Sequence, residues 1–141
     1  MESKDFSSLK IKEYKHWILF LHENQCYLGR MYLLAKDTSK IDFMEMSLDE
    51  REEFFKIGSE IKKVLNRLFL PDKINYTALG NVFERLHVHF IPRYKSKKDF
   101  LGMGFTDTRW GKNYAPYDTG FKIDSAILGK IKCLIRDNLE I

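Results

Sequence analysis

Cysteine is scarce: the 141-residue chain holds two, Cys26 and Cys133. They form no CxxC pair and no disulfide-framework spacing, so both are expected as reduced thiols. Long apolar runs are lacking too. None approaches the roughly 20 residues that span a bilayer, and the polar opening MESKDFSSLK has no signal-peptide core. A cytoplasmic protein with no membrane partner is expected. No repeat, low-complexity tract or linker divides the sequence, so residues 1–141 are expected to form one domain around one core. There is no HExxH for a zinc hydrolase. The one glycosylation sequon, Asn75-Tyr76-Thr77, carries no weight without secretion.

Positive charge is in excess, at +4 with a pI near 9.0, which favours anionic partners from nucleotides to RNA. The densest basic stretch, residues 93–98, directly follows "RLHVHFIPRY", which carries two of the four histidines. In that run Leu86, Val88 and Phe90 alternate with Arg85, His87 and His89, the pattern of a half-buried strand. Alternate side chains share a face, so His87 and His89 should lie roughly 6–7 Å apart beside Arg85. Such a surface suits a metal, an anion or a reacting group.

Other elements follow from similar patterns. Trp17 to Leu21 is a continuous apolar run expected as a buried strand, Glu23-Asn24-Gln25 a turn, and Cys26 to Ala35 the returning strand. Gly29 inside it suggests a bulge or the close approach of a ligand. Ser47-Leu48-Asp49-Glu50 is a capping box. Phe54, Ile57, Ile61, Val64, Leu65 and Leu68 then keep helical spacing until Pro71 forces an end. Lys73 to Leu79 and Leu86 to Arg93 read as paired strands joined through Gly80-Asn81. Residues 95–122 read as an irregular aromatic loop containing Trp110, Tyr114 and Tyr117, expected as packing or dimer contacts, with base stacking the sharper alternative. Asp124 or Ser125 caps a last helix over about 124–139. The sum is an α+β domain with two helices and a mainly antiparallel sheet of about five strands.

"INYTALGNVFERLHVHFIPRY", residues 74–94, resembles the histidine triad (HIT) family, whose strand signature is His-φ-His-φ-His-φ-φ followed by Pro-Arg. His87 and His89 match the last two histidines, and Pro92-Arg93 follow. Asn75, Gly80 and Asn81 sit where a bacterial branch, similar to dinucleoside polyphosphate hydrolases, has "NY..LGN". "CYLGRMYLLAK", residues 26–36, is similar to the family's second core strand, so the likeness covers roughly residues 14–94.

The resemblance implies a HIT-like fold and a covalent mechanism. His87 would attack an α-phosphate, expel the leaving group and form a nucleotidyl-histidine that water hydrolyses. His89 would bond a carbonyl or the phosphate, while Asn75, Gly80 and Asn81 would offer donors to it. No cofactor is required, although a divalent cation could accompany the substrate. The implied substrates are dinucleoside polyphosphates, and the implied assembly is a homodimer whose aromatic loop could complete the neighbour's site. Nucleic acid is not an expected partner.

Three positions depart from the family pattern. Arg85 replaces the first triad histidine and could pair bidentately with phosphate. His22 replaces the residue that grips the ribose. Arg30 replaces a histidine of many relatives, exchanging imidazole for a permanent cation that would suit a more highly charged substrate. Two other readings compete. One is zinc held by His87, His89 and either His16 or His22, weakened by the want of a carboxylate or cysteine partner. The other is a catalytically inactive nucleotide- or RNA-binding module, which would bind without turnover and, for RNA, with steep salt dependence.

Overall fold

A computed structural model describes residues 7–141. Five strands, β1 (Lys10–Glu13), β2 (Trp17–Leu21), β3 (Met31–Ala35), β4 (Lys73–Thr77) and β5 (His87–Arg93), form one antiparallel sheet in the order β1-β2-β3-β5-β4. A hairpin of β6 (Lys98–Phe100) and β7 (Met103–Phe105) stands apart. The helices are α1 (Leu48–Leu68) and α2 (Ser125–Asn138). This is the expected α+β architecture.

The alternation of β2 and β3 decides how the layers stack. Trp17, Leu19 and Leu21 on β2 and Met31, Leu33 and Ala35 on β3 are buried, as are Val88 and Phe90 on β5. They meet Ile57, Ile61, Val64 and Leu65 of α1 and Ile131 and Ile135 of α2 in one core. Each large aliphatic buried there contributes about 1.5–3 kcal/mol of transfer free energy. Both helices therefore cover one sheet face, and the other is left for chemistry. The capping box forms as spaced: Ser47 Oγ accepts from the Glu50 amide and Glu50 accepts from the Ser47 amide, which fixes where α1 begins. Asp124 caps α2.

Several boundaries differ from the sequence reading. Residues 26–30 are a compact turn, not the start of β3, because Gln25 is fully buried and ties the loop shut. Its amide donates to the carbonyls of His22 (2.8 Å) and Arg30 (2.9 Å), and its oxygen accepts from the Gly29 amide (2.8 Å). At Gly29 it is the end of α1, not a ligand, that approaches. With φ at 89°, a Cβ there would lie 2.9 Å from Leu65 and Phe69 side-chain carbons. β4 stops at Thr77 and β5 starts at His87, so the connection is longer than Gly80-Asn81 alone. Residues 95–122 are not wholly irregular, since β6 and β7 pair within them around Leu101-Gly102, both at positive φ. β1 has no counterpart among the expected strands, because KIKE offers almost no apolar alternation.

Candidate active site

The sheet face away from the helices carries three cross-strand rows set by register. Ile18, Leu34 and His87 stand opposite one another in turn, as do Phe20, Tyr32, His89 and Thr77. The third row follows by continuing the register: the His22 amide donates to the Arg30 carbonyl, Arg30 faces Ile91, and Ile91 pairs with Asn75. Period-2 alternation thus brings His22, Arg30, His87, His89 and Asn75 onto one surface. The His87 and His89 ring centroids are 5.1 Å apart, and His22 and His89 are 5.7 Å apart. Tyr32 touches all three imidazoles edge-on or tilted, at 5.7–6.3 Å.

His87 has a defined tautomer. Its Nδ1 lies 2.8 Å from the Arg85 carbonyl oxygen, an acceptor only, so Nδ1 carries the proton and donates. The Nε2 lone pair is then available at the face. His22 has the opposite arrangement: its Nδ1 accepts from the Asn24 amide at 3.0 Å, so the neutral ring carries its proton on Nε2. His89 Nδ1 is buried without a partner, as is Thr77 Oγ1 in the same row. Such unsatisfied polar atoms mark a surface built to receive something polar.

Burial, and then the Arg30 charge, push the pKa of both His22 and His89 down to about 3. Both rings are neutral at pH 7, and the sign of the linkage follows. Between the ordinary histidine value near 6.5 and about 3, the unfolded chain binds protons that the folded one refuses. Stability is fully present above pH 6.5 and falls as pH drops toward 3. His89→Asn should therefore flatten the fall of urea-unfolding stability between pH 6.5 and 4 relative to wild type. Parallel curves would contradict the assignment.

The remaining residues named from the sequence divide into those facing the imidazoles and those engaged elsewhere. Asn75 Oδ1 accepts from Arg93 Nη1 at 2.9 Å, which leaves its amide nitrogen as the group to offer. Arg85 does not aim its guanidinium at the face. Nε donates to the Ala35 carbonyl (2.8 Å) and Nη2 to that of Lys36 (3.4 Å), fastening the end of β3. What Arg85 lends the site is its backbone carbonyl under His87. Gly80 is half-buried at φ of 64°, with exposed Asn81 beside it. That loop brings Phe83 to 5.5 Å from the His87 ring.

Arg30 is 2% exposed. Tyr117 and Tyr114 lie over its guanidinium at 4.6 and 5.5 Å, and the loop that carries them is fastened by Asn24 to the Asp118 carbonyl and by Tyr27 to the Tyr114 carbonyl. The aromatic loop therefore packs against the site of its own chain. Sequence pattern alone does not single out Tyr32 or Thr77, whose place depends on register between distant strands. Among the described residues, no three His, Cys, Asp or Glu side chains gather to hold a metal ion, and no helix is long and apolar enough to cross a membrane.

Comparison with known proteins agrees with this geometry. The family model described as HIT domain matches residues 4–96. No curated protein matches the sequence. A histidine triad (HIT) protein from Sinorhizobium meliloti 1021 superposes with a TM-score of 0.78 at 18% identity, covering 93% of this chain and 89% of that one. A histidine triad protein from Marinobacter aquaeolei VT8 gives 0.77 at 20% identity, covering 93% and 88%. A hypothetical histidine triad nucleotide-binding protein from Sulfolobus tokodaii strain7 gives 0.67 at 16% identity, covering 94% and 83%. With His87 and His89 on the sheet face opposite the helices, and a family match over most of its length, the chain belongs to the HIT domain family.

Proposed function

We propose that the protein is a nucleotide hydrolase or nucleotidyl transferase that works through a covalent intermediate on His87. The observation that carries this reading is the 2.8 Å contact of His87 Nδ1 with the Arg85 carbonyl, which commits the lone pair to Nε2. A neutral imidazole in that tautomer is a good nucleophile near pH 7. In the first step Nε2 forms a bond to the α-phosphorus, and the bond from phosphorus to the leaving group breaks, with the leaving group keeping its electron pair. The resulting imidazolium is stabilised by its Nδ1–H bond to the Arg85 carbonyl. Water then attacks phosphorus and gives up a proton to solvent, the P–N bond breaks with its electron pair returning to Nε2, and His87 regains its neutral form with the proton on Nδ1.

His89 Nδ1, Thr77 Oγ1 and the Asn75 amide nitrogen lie beside the path of the phosphoryl group. The half-buried Ile18, Phe20 and Leu34 form an apolar shelf next to His87, suited to a nucleobase. The positive charge of the chain and the Arg30 cation favour dinucleoside polyphosphates as substrates. The test is turnover of a panel running from an adenosine phosphoramidate to diadenosine tetraphosphate. Release of nucleoside monophosphate from a panel member is expected. Tight binding with no turnover of any would make the protein a binding module instead.

The same reading includes a homodimer. β4 is an open edge of the sheet, and beside it Phe55 and Tyr76 are 64% and 53% exposed over a cavity of about 530 Å³ lined also by Phe43, Phe54, Val88 and Phe90. An edge strand next to apolar surface invites antiparallel pairing with a second copy. Sedimentation should give twice the 16.8 kDa chain mass, falling to the monomer in Phe55→Glu. A wild-type monomer at micromolar concentration would refute it.

A further inference from the structure

Arg30 is not explained by the chemistry of His87. It is 2% exposed, Nε and Nη1 have no hydrogen-bond partner, and no ion pair among the described residues includes it. A buried cation is costly unless something compensates it. Tyr117 and Tyr114 compensate in part, lying over the guanidinium carbon at 4.6 and 5.5 Å. Contacts of that kind use the π-faces and leave the N–H donors unspent. Arg93 shows the contrast within the same fold. It is equally buried, also lies over a tyrosine, and nevertheless binds a carboxylate through two nitrogens.

We propose that Arg30, together with His22 and His89, forms a second anion seat that takes a phosphoryl group of the substrate other than the one His87 attacks. The inference rests on the nucleotide chemistry proposed above and names the kind of nucleotide. Three donors stand on one face of the sheet: Arg30 Nε–H and Nη1–H, which have no partner, and His22 Nε2–H, whose proton is fixed there because Nδ1 accepts from Asn24. His89 joins the seat to the nucleophile, with centroids 5.7 Å from His22 and 5.1 Å from His87. Both anions therefore belong to one ligand. Both flanking rings are neutral at pH 7, so Arg30 supplies the charge and the imidazoles supply direction. Neither free guanidinium nitrogen meets solvent, so an entering phosphoryl group displaces part of the cover made by Tyr114 and Tyr117.

The second phosphoryl group has two possible sources, the polyphosphate chain or the ribose. Calorimetric titration with AMP, ADP, and adenosine 2′,5′- and 3′,5′-bisphosphate separates them. At least one doubly phosphorylated ligand should bind wild type about tenfold or more tighter than AMP. A preference for ADP places the group on the chain, and a preference for a bisphosphate places it on the ribose. That preference should shrink to within about twofold in Arg30→Gln and survive in part in Arg30→Lys. If Arg30→Gln does not fold, the wild-type ratio and the Arg30→Lys protein still decide. AMP binding with no preference in wild type, or a preference that Arg30→Gln retains, overturns the seat and leaves the His87 chemistry standing. Failure to bind any of the four overturns both.

Discussion

His87→Asn should lower kcat by at least roughly a thousandfold while changing nucleotide affinity by no more than about threefold. Asparagine has a similar volume, and its amide can still donate to the Arg85 carbonyl that His87 Nδ1 contacts at 2.8 Å. The substitution therefore keeps the floor of the site and removes only the atom that, in the proposed mechanism, forms the bond to phosphorus. In the proposed function, binding depends on other groups, namely the apolar shelf of Ile18, Phe20 and Leu34 and the donors around His89. A loss confined to kcat is the signature of an interaction made only in the transition state. Equal rates in the two proteins would exclude His87 as the nucleophile. A large loss of affinity with kcat preserved would make it a binding residue instead.

Arg93→Met should destabilise the fold by about 3–5 kcal/mol, the usual result of removing one partner from a buried ion pair. Arg93 Nε bonds Asp107 Oδ2 at 2.7 Å and Nη2 bonds Oδ1 at 3.2 Å, with the two side chains 4% and 0% exposed. Its remaining donor capacity goes to Asn75 Oδ1 and to the Lys112 and Arg109 carbonyls. Burial alone would push the Asp107 carboxyl up. The Arg93 bond and the amides of Tyr94 and Arg109 outweigh it and hold the group below the ordinary carboxylate range. Without Arg93 that charge is stranded and residues 107–112 lose their attachment to β5. Arg93→Met with Asp107→Leu should recover part of the loss, because no unpaired charge then remains. Urea unfolding of the four proteins measures the cycle. A single-variant cost under about 1 kcal/mol would show the pair to be dispensable.

How much of this was legible in the sequence depended on how local the cause was. β2 matched its five-residue apolar run and α1 its capping box and spacing, since both signals lie within one element. The histidines of β5 were visible for the same reason. The turn at residues 26–30 was not. A buried glutamine closing a loop through its own amide looks, in sequence, like ordinary turn polarity, and CYLGR continues smoothly into the apolar MYLLA. Alternation places Arg85 beside His87 and so suggests a phosphate ligand. The residue lies before β5 begins, where the Ala35 and Lys36 carbonyls at the end of β3 stand nearer. Tyr32 and Thr77 flank His89 only because β3 and β4 pair with β5 in one register, which a single sequence does not state. The burial of Arg30 beneath a loop some 85 residues further along is likewise a property of the fold.

The most direct measurement is to trap the intermediate. Wild type would be mixed with the best substrate of the panel, quenched within milliseconds at alkaline pH because P–N bonds are labile to acid, and analysed by intact-protein and peptide mass spectrometry. The account predicts a mass increase of one nucleotidyl group, mapped to the peptide that contains His87 and absent from His87→Asn. Turnover with no adduct under single-turnover conditions, or an adduct on another residue, would contradict it.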